Sequence, residues 1–249
     1  MRRLLYTLRD FGLDPIKSVL AVRELAWFIP SYFRFRRLFQ GKKLVLAPTL
    51  HDRKDSSGSS DGHYFWQDLI CARWIFEDNP RNHLDIGSRI DGFIAHLLSF
   101  RDVDVLDIRR PETTVPGLNT IVADAQLPLA SISSKYSSVS SLHSLEHFGL
   151  GRYGDKLDPN GHRQGLLNIA DLVDQSGFLY VSYPIGDDEV QFNAQRLLRP
   201  NWAPAILNEF NVIQAVLIPW RGEPKYVENI DEYSKFKAGS CILFKLQRR

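Results

Sequence analysis

The stretch His83–Phe93 reads HLDIGSRIDGF, and how it is read decides the fold. A short apolar strand ends in Asp85 and Gly87, and a helix follows at once. Strand, tight turn and helix in that order open a nucleotide-type α/β sheet. Gly87 lets backbone approach a ligand closely because it has no side chain. The start of the next helix presents unpaired N–H groups. An acid beside such a turn suits hydroxyls or a cationic ligand better than a pyrophosphate.

Working outward, strands and helices alternate. The spacing predicts strands at Asn82–Ile86, Val103–Ile108, Leu118–Val122, Tyr136–Leu142 and Phe178–Tyr183. It predicts helices at Ile90–Phe100, about Gly165–Asp174, and within Asn201–Phe210. Repeated strand–helix units imply a parallel sheet with right-handed crossovers. The chain ends differently: Val212–Trp220 and Cys241–Leu246 are strands with no convincing helix between them. They read as a closing antiparallel pair at the edge. The expected architecture is a Rossmann-like α/β three-layer sandwich. Its seven-stranded sheet is mostly parallel with an antiparallel edge strand, and a helical N-terminal extension precedes it.

The 249 residues suffice for one full α/β core plus that extension. The expected division is 1–62, a basic helical extension ending in a polar loop, and 63–249, the core domain. The formal charge of +2 is unevenly spread. Residues 1–43 hold ten Lys/Arg against three Asp/Glu, a net +7, which leaves the remainder at −5. An acidic core argues against a nucleic-acid groove within it. Cys71 and Cys241 match no metal spacing and fit reduced thiols in a cytoplasmic protein. No run of about 20 apolar residues predicts a membrane span.

Val19, Val22, Ala26 and Ile29 recur at helical spacing in the extension, and Pro30 predicts a break. Residues 27–43 interleave aromatics with Arg34, Arg36, Arg37, Lys42 and Lys43. This is either a peripheral anchor on anionic lipid at the inner face of a membrane, or a helix that packs its aromatics and solvates its arginines. Leu44–Ala47 reads as a short strand. Residues 51–62, HDRKDSSGSSDG, read as a linker or as a lid over a site. A helix should follow Asp68 and end at Pro80.

Chemistry gathers where the strands end. Asp107 lies at the end of the second strand, where an acid can accept bonds from both hydroxyls of a ribose. Asp124 follows the third strand and could face an adenine amino group. The G-x-G-x-x-G fingerprint of NAD sites is missing, because Arg89 stands where its central glycine would be and would crowd a pyrophosphate. His143, Glu146 and His147 leave the fourth strand with helical i, i+3, i+4 spacing. A histidine has a suitable pKa for a general base, here His147 or His143 with Glu146 orienting it. The same trio could instead hold a divalent metal or simply brace the loop, and no metal is assigned. The following loop, GLGRYGDKLDPNGH, offers Arg152, Tyr153 and Asp155 for recognition. Tyr183, after the fifth strand, is expected at the same opening, with Asn193 and Arg196 beyond it and Tyr64, Gln67 and Asp68 closing it.

LDIGS, then VLDI, then ADAQLPLASISSKYSSVSSLHSLEHF resemble the ordered motifs of class I S-adenosylmethionine-dependent methyltransferases. More narrowly, HYFWQD, DIGSRIDGF, EHFGLGRYGD and FNAQRLLRP resemble an uncharacterised methyltransferase-like family associated with surface-polysaccharide biosynthesis. The resemblance spans about residues 63–220. It implies S-adenosyl-L-methionine as cofactor, with Asp85, Gly87 and Ser88 around its methionine part. Asp107 would take the ribose with Ile108 beside it, and Asp124 with Ala125 would take the adenine. The acceptor it implies is a small molecule or glycan, methylated on a sugar hydroxyl. Two other functions stay open on the residues: a non-catalytic module of this fold in a polysaccharide-assembly complex, and an NAD-dependent sugar-modifying enzyme.

Overall fold

In the computed structural model, β1 (His83–Ile86) is the hub of the sheet. It pairs in parallel with β2 (Val103–Asp107) on one side and with β4 (Tyr136–Leu142) on the other. The strand order therefore reverses at β1, and ligands of open α/β sheets bind at the carboxyl ends of the strands at such a point. Residues 14–50, 53–54, 56–112, 114–129, 132, 134–228 and 239–249 are described. The chain divides into two compact units, Met1–Ser59 and Ser60–Arg249.

In the second unit, β3 (Leu118–Val122) extends the sheet in parallel beyond β2, and β5 (Val173–Pro184) beyond β4. Next to β5 comes β10 (Ser240–Arg248), antiparallel to it and to β8 (Phe210–Pro219). A two-residue strand, β9 (Lys225–Tyr226), adds an eighth member outside β8. The seven expected strands and the antiparallel edge are all present.

Side chains alternate across each strand. Leu84, Ile86 and Leu106 join Val139, Leu166 and Ile169 on one face of the sheet. Val103 and Val105 join Cys71, Trp74, Ile75, Phe93 and Leu97 on the other. The first face is covered by the helix Gly161–Asp171, and the second by His63–Asp78 with Ala95–Leu98. These two layers of helix and the sheet between them make the three-layer sandwich.

Several boundaries differ from expectation. The helix before β1 starts at His63, five residues before Asp68, because Gly62 at φ 93 turns the chain into it without a side-chain cap. The segment after Gly87 opens as a π-turn, Ile90–Ile94, with non-helical angles at Gly92, and only then becomes α-helical. The helix before β5 runs Gly161–Asp171, earlier than predicted, and β5 starts at Val173. The polar run Asp174–Gly177 disguises that first half of the strand. A small hairpin, β6 (Glu189–Gln191) with β7 (Gln195–Leu197), went unpredicted because DDEVQFNAQRLL alternates poorly.

In the first unit, the helix α1 (Pro15–Leu38) starts at an Asp14 cap that accepts from the Lys17 N–H, with proline at the first helical position. It runs straight through Pro30, contrary to the predicted break. Proline there removes the single hydrogen bond to the Ala26 carbonyl, and the helix continues on either side. Leu44–Ala47 is not a strand, since no strand among the described residues pairs with it. Glu24 accepts from Lys54 at 2.6 Å and Arg53 at 3.3 Å, and the Arg53 guanidinium lies over Trp27. Phe33, Phe35 and Leu38 are exposed. Among the described residues no helix is long and apolar enough to cross a membrane. Residues 1–13 of the expected helical extension, and 51, 52 and 55 of the expected linker or lid, lie outside the described residues.

Candidate functional site

A cavity of about 660 Å³ opens at the carboxyl ends of β1, β2 and β4. That is within the range of small-ligand sites. Gly87 and Ser88 line it from the turn after β1, Asp107 and Ile108 from the end of β2, and Asp124 and Ala125 from the turn after β3. His143 and His147 line it from beyond β4, and Tyr64, Gln67 and Asp68 from the helix before β1. The topology thus brings together side chains from five separate segments.

The turn after β1 depends on Gly87, whose φ of 78 lies in the left-handed region. A Cβ there would also meet the Ser144 Cβ at 3.0 Å. Asp85 holds this turn from beneath and does not reach the cavity wall, against the expectation that it meets a ligand. It is fully buried. Its carboxylate accepts from the Ser88 N–H at 3.0 Å, the Ser88 hydroxyl at 2.9 Å and the Ser140 hydroxyl at 2.5 Å. Burial pushes its pKa up to about 7, against those hydrogen bonds. Ser140 in turn receives the Nε2–H of buried His83, whose Nδ1 faces Ser138.

Arg89 points outward. Its side chain is 78% exposed and forks onto Asp91 at 2.9 and 2.7 Å. It stands at the cavity rim and does not cross the turn.

Asp107 is gripped by Arg109, a residue that no motif or spacing singles out. Its Oδ1 accepts from the Arg109 N–H and Nε, and its Oδ2 from Nη2 alone, so Oδ2 keeps acceptor capacity. The Arg109 guanidinium lies 4.4 Å over the Tyr153 ring, which also lines the cavity. Asp124 caps its own turn by accepting from the Gln126 N–H at 2.9 Å.

Beyond β4, Leu145–His147 form a short 3₁₀ turn. His143 precedes it at φ 49 and donates from Nδ1 to the fully buried Glu146 carboxylate at 2.6 Å. Burial pulls the His143 pKa down, but Cys241 and Glu146 outweigh it and hold the group well above its usual range. His147 donates from Nδ1 to the Ala194 carbonyl at 2.7 Å, which fixes the proton there and leaves Nε2 bare. That Nε2 lies 3.8 Å from Glu146. Burial lowers the His147 pKa, although Glu146 and the Ala194 carbonyl oppose the shift. The imidazole is therefore neutral and able to take a proton.

Three expected recognition residues are placed differently. Tyr183 is not at the opening. It is fully buried in the core, because β5 is flanked by strands and covered on both faces. Its hydroxyl donates to the Pro200 carbonyl and accepts from the Ala203 N–H. Arg152 is exposed outside the cavity and donates to the Ala194 carbonyl. Asp155 reaches the lining, yet its carboxylate is taken up by the N–H groups of Gly149, Gly151 and Tyr153, so it shapes the loop.

The side chain that organises this region is Arg196. It is 3% exposed and donates to the carbonyls of Glu146, Phe148, Asp158 and Pro159. The loop between these carbonyls is drawn so tight that a Cβ on Gly149 would sit 1.9 Å from the Asp158 carbonyl oxygen. An arginine inside the apolar run QRLL was the available signal.

Solved structures similar to this fold include three methyltransferases. The N-methyltransferase NodS from Bradyrhizobium japonicum WM9, in complex with S-adenosylhomocysteine, is 14% identical with a TM-score of 0.51, over 80% of this chain and 91% of that one. The 1,6-didemethyltoxoflavin-N1-methyltransferase from Burkholderia thailandensis is 13% identical with a TM-score of 0.53, over 95% of this chain and 91% of that one. A S-adenosylmethionine-dependent methyltransferase from Clostridium acetobutylicum ATCC 824 is 11% identical with a TM-score of 0.51, over 76% and 93%. The fold is therefore the Rossmann-like fold of the class I methyltransferases. Residues 122–219 match a family described as "Caenorhabditis protein of unknown function, DUF268". No curated protein sequence matches the chain.

Proposed function

We propose that the chain is an S-adenosylmethionine-dependent methyltransferase acting on a hydroxyl of a small sugar or glycan precursor. The observation that carries this reading is the convergence of Gly87, Asp107, Asp124 and His147 on one cavity at the strand-order reversal. The donor set fits the cofactor. Asp107 retains acceptor capacity for ribose hydroxyls, and Asp124 stands where an adenine amino group could be met. Gly87 and Ser88 leave room for the methionine part, with the acidic Asp68 alongside. When bound, the cofactor supplies a methyl group on an electrophilic sulfonium.

The chain's own task is to align the acceptor and move one proton. His147 takes the acceptor hydroxyl proton on Nε2 as the new oxygen–carbon bond forms, and Glu146 stabilises the resulting imidazolium. An amine acceptor can lose its proton to water afterwards, so a buried, tautomer-fixed histidine favours an alcohol. The sugar rests on the resemblance of FNAQRLLRP and its companion motifs to a family tied to surface polysaccharides. Incubation with methyl-labelled cofactor and a panel of nucleotide sugars tests it. Label on a sugar hydroxyl is expected, while label on an amine alone, or on no sugar, overturns this acceptor class.

Asp68 adds a pH dependence. Burial raises its pKa to about 6, opposed by the Gln67 amide and by His96 and His143 nearby. A carboxyl raised in this way is anionic above that value and neutral below it. Binding of the sulfonium cofactor should therefore weaken as pH falls through 6, by up to about tenfold per unit. S-adenosylhomocysteine, whose sulfur is neutral, should lose less. Calorimetric titrations on either side of this pKa compare the two; equal losses would remove Asp68 from the sulfonium.

A further inference from the structure

His63, His143 and Cys241 come together from the start of the helix His63–Asp78, the end of β4 and the start of β10. One ligating atom from each lies within 4.8 Å of the others. We propose that they bind a zinc ion at the inner edge of the cavity.

Both histidines are pre-set for it. The Nε2–H of His63 is taken by the Gly239 carbonyl at 3.1 Å, which leaves Nδ1 with the free lone pair. The Nδ1–H of His143 is taken by Glu146, which directs Nε2 at the ion, and Nε2 releases its proton to solvent when the metal binds. A carboxylate or carbonyl on the far nitrogen is how metal-ligating imidazoles are oriented. The His143 Nε2 is buried and has no hydrogen-bond partner among the described residues, although its side chain is only 6% exposed. A buried polar atom with no partner is costly, and a metal ion is one way to satisfy it. The two rings stack at 5.3 Å and 6°.

The donor types select the metal. Imidazole with thiolate suits zinc, at about 2.0–2.3 Å from each atom. Donors on a tetrahedral ion stand about 3.3–3.8 Å apart, so atoms within 4.8 Å of one another need to close by no more than about 1.5 Å. Cys241 gives up its thiol proton to solvent as the metal–sulfur bond forms. Three protein ligands leave a fourth position for water or an acceptor oxygen. His143 is shared with the cavity wall, so the ion would brace the site where the helix, β4 and β10 meet. This leaves His147 as the base.

Cobalt titration of the metal-stripped full chain tests the site with no dependence on methyl transfer. One equivalent should bind tetrahedrally, with visible ligand-field bands and a near-ultraviolet thiolate-to-cobalt transition. Cys241→Ser should remove that transition, and His63→Gln should weaken zinc binding by more than about 100-fold, beyond what losing a hydrogen-bond partner of a ligand costs. Cys71→Ser, at the other buried thiol, should alter neither. Should the site variants fail to fold, alkylation of the wild-type chain decides: zinc should slow modification of Cys241 relative to Cys71. No thiolate transition in the wild type, its survival in Cys241→Ser, or no protection by zinc overturns the site.

Discussion

Replacing His147 by alanine is expected to cut methyl transfer by on the order of 10²–10⁴-fold, the usual worth of a positioned general base. Cofactor affinity should stay within about twofold, because the change touches only the proton-transfer geometry. The Ala194 carbonyl holds the proton on Nδ1 and so leaves Nε2 as the basic atom. Glu146, 3.8 Å from Nε2, would then stabilise the cation that proton transfer creates. Glu146→Gln keeps the shape but removes that charge, and should lower turnover by less than the loss of His147. Single-turnover rates with labelled cofactor measure both, and an unchanged rate in His147→Ala removes the proposed base.

Arg196→Ala should be the most destabilising of the single changes considered, by about 3–5 kcal/mol. Four carbonyls lose their donor, and a buried guanidinium-sized void opens. Burial lowers the Arg196 pKa only against the attraction of Asp155 and Asp158, so a buried cation is held here mainly by backbone. The midpoint of thermal unfolding should fall by about 6–20 °C at roughly 2–4 °C per kcal/mol. Arg196→Lys retains one charge but cannot span both pairs of carbonyls, and should recover only part of the loss. A drop below about 1 kcal/mol in denaturant unfolding would show that the loop holds itself. Because the same carbonyls belong to the turn carrying Glu146 and His147, activity should fall with stability.

The sheet was legible because its strands carry their own signals. VDVLD, LNTIV and YSSVSSL are short runs bounded by turn residues, and their bounds come out of the sequence almost unchanged. Elements set by tertiary context were not. The helix from His63 has no side-chain cap to announce it, and proline in α1 reads locally as a break. The cavity-facing acids Asp107 and Asp124 were legible from their place at strand ends. Asp85 occupies the same kind of place, yet the pleat points it inward to Ser88 and Ser140. Tyr183 failed for a related reason, since β5 is covered on both faces and its last residues follow the core. Arg109 and the grouping of His63 with Cys241 depend on contacts 2 and 178 positions apart in the sequence, which spacing alone does not reveal, and Arg196 was legible as a residue near the site but not as the donor to four backbone carbonyls.

The proposed function requires the cavity at the end of β1 to bind the methyl-donor cofactor through Asp107. Calorimetric titration of the full chain with S-adenosylhomocysteine, and separately with NAD, checks this. One equivalent of S-adenosylhomocysteine should bind with micromolar affinity, and Asp107→Ala should weaken it by about 10–100-fold, the worth of one or two hydrogen bonds to a charged group. NAD should not bind. Binding of NAD in its place, or S-adenosylhomocysteine affinity unaltered in Asp107→Ala, would rule out this assignment of the cavity.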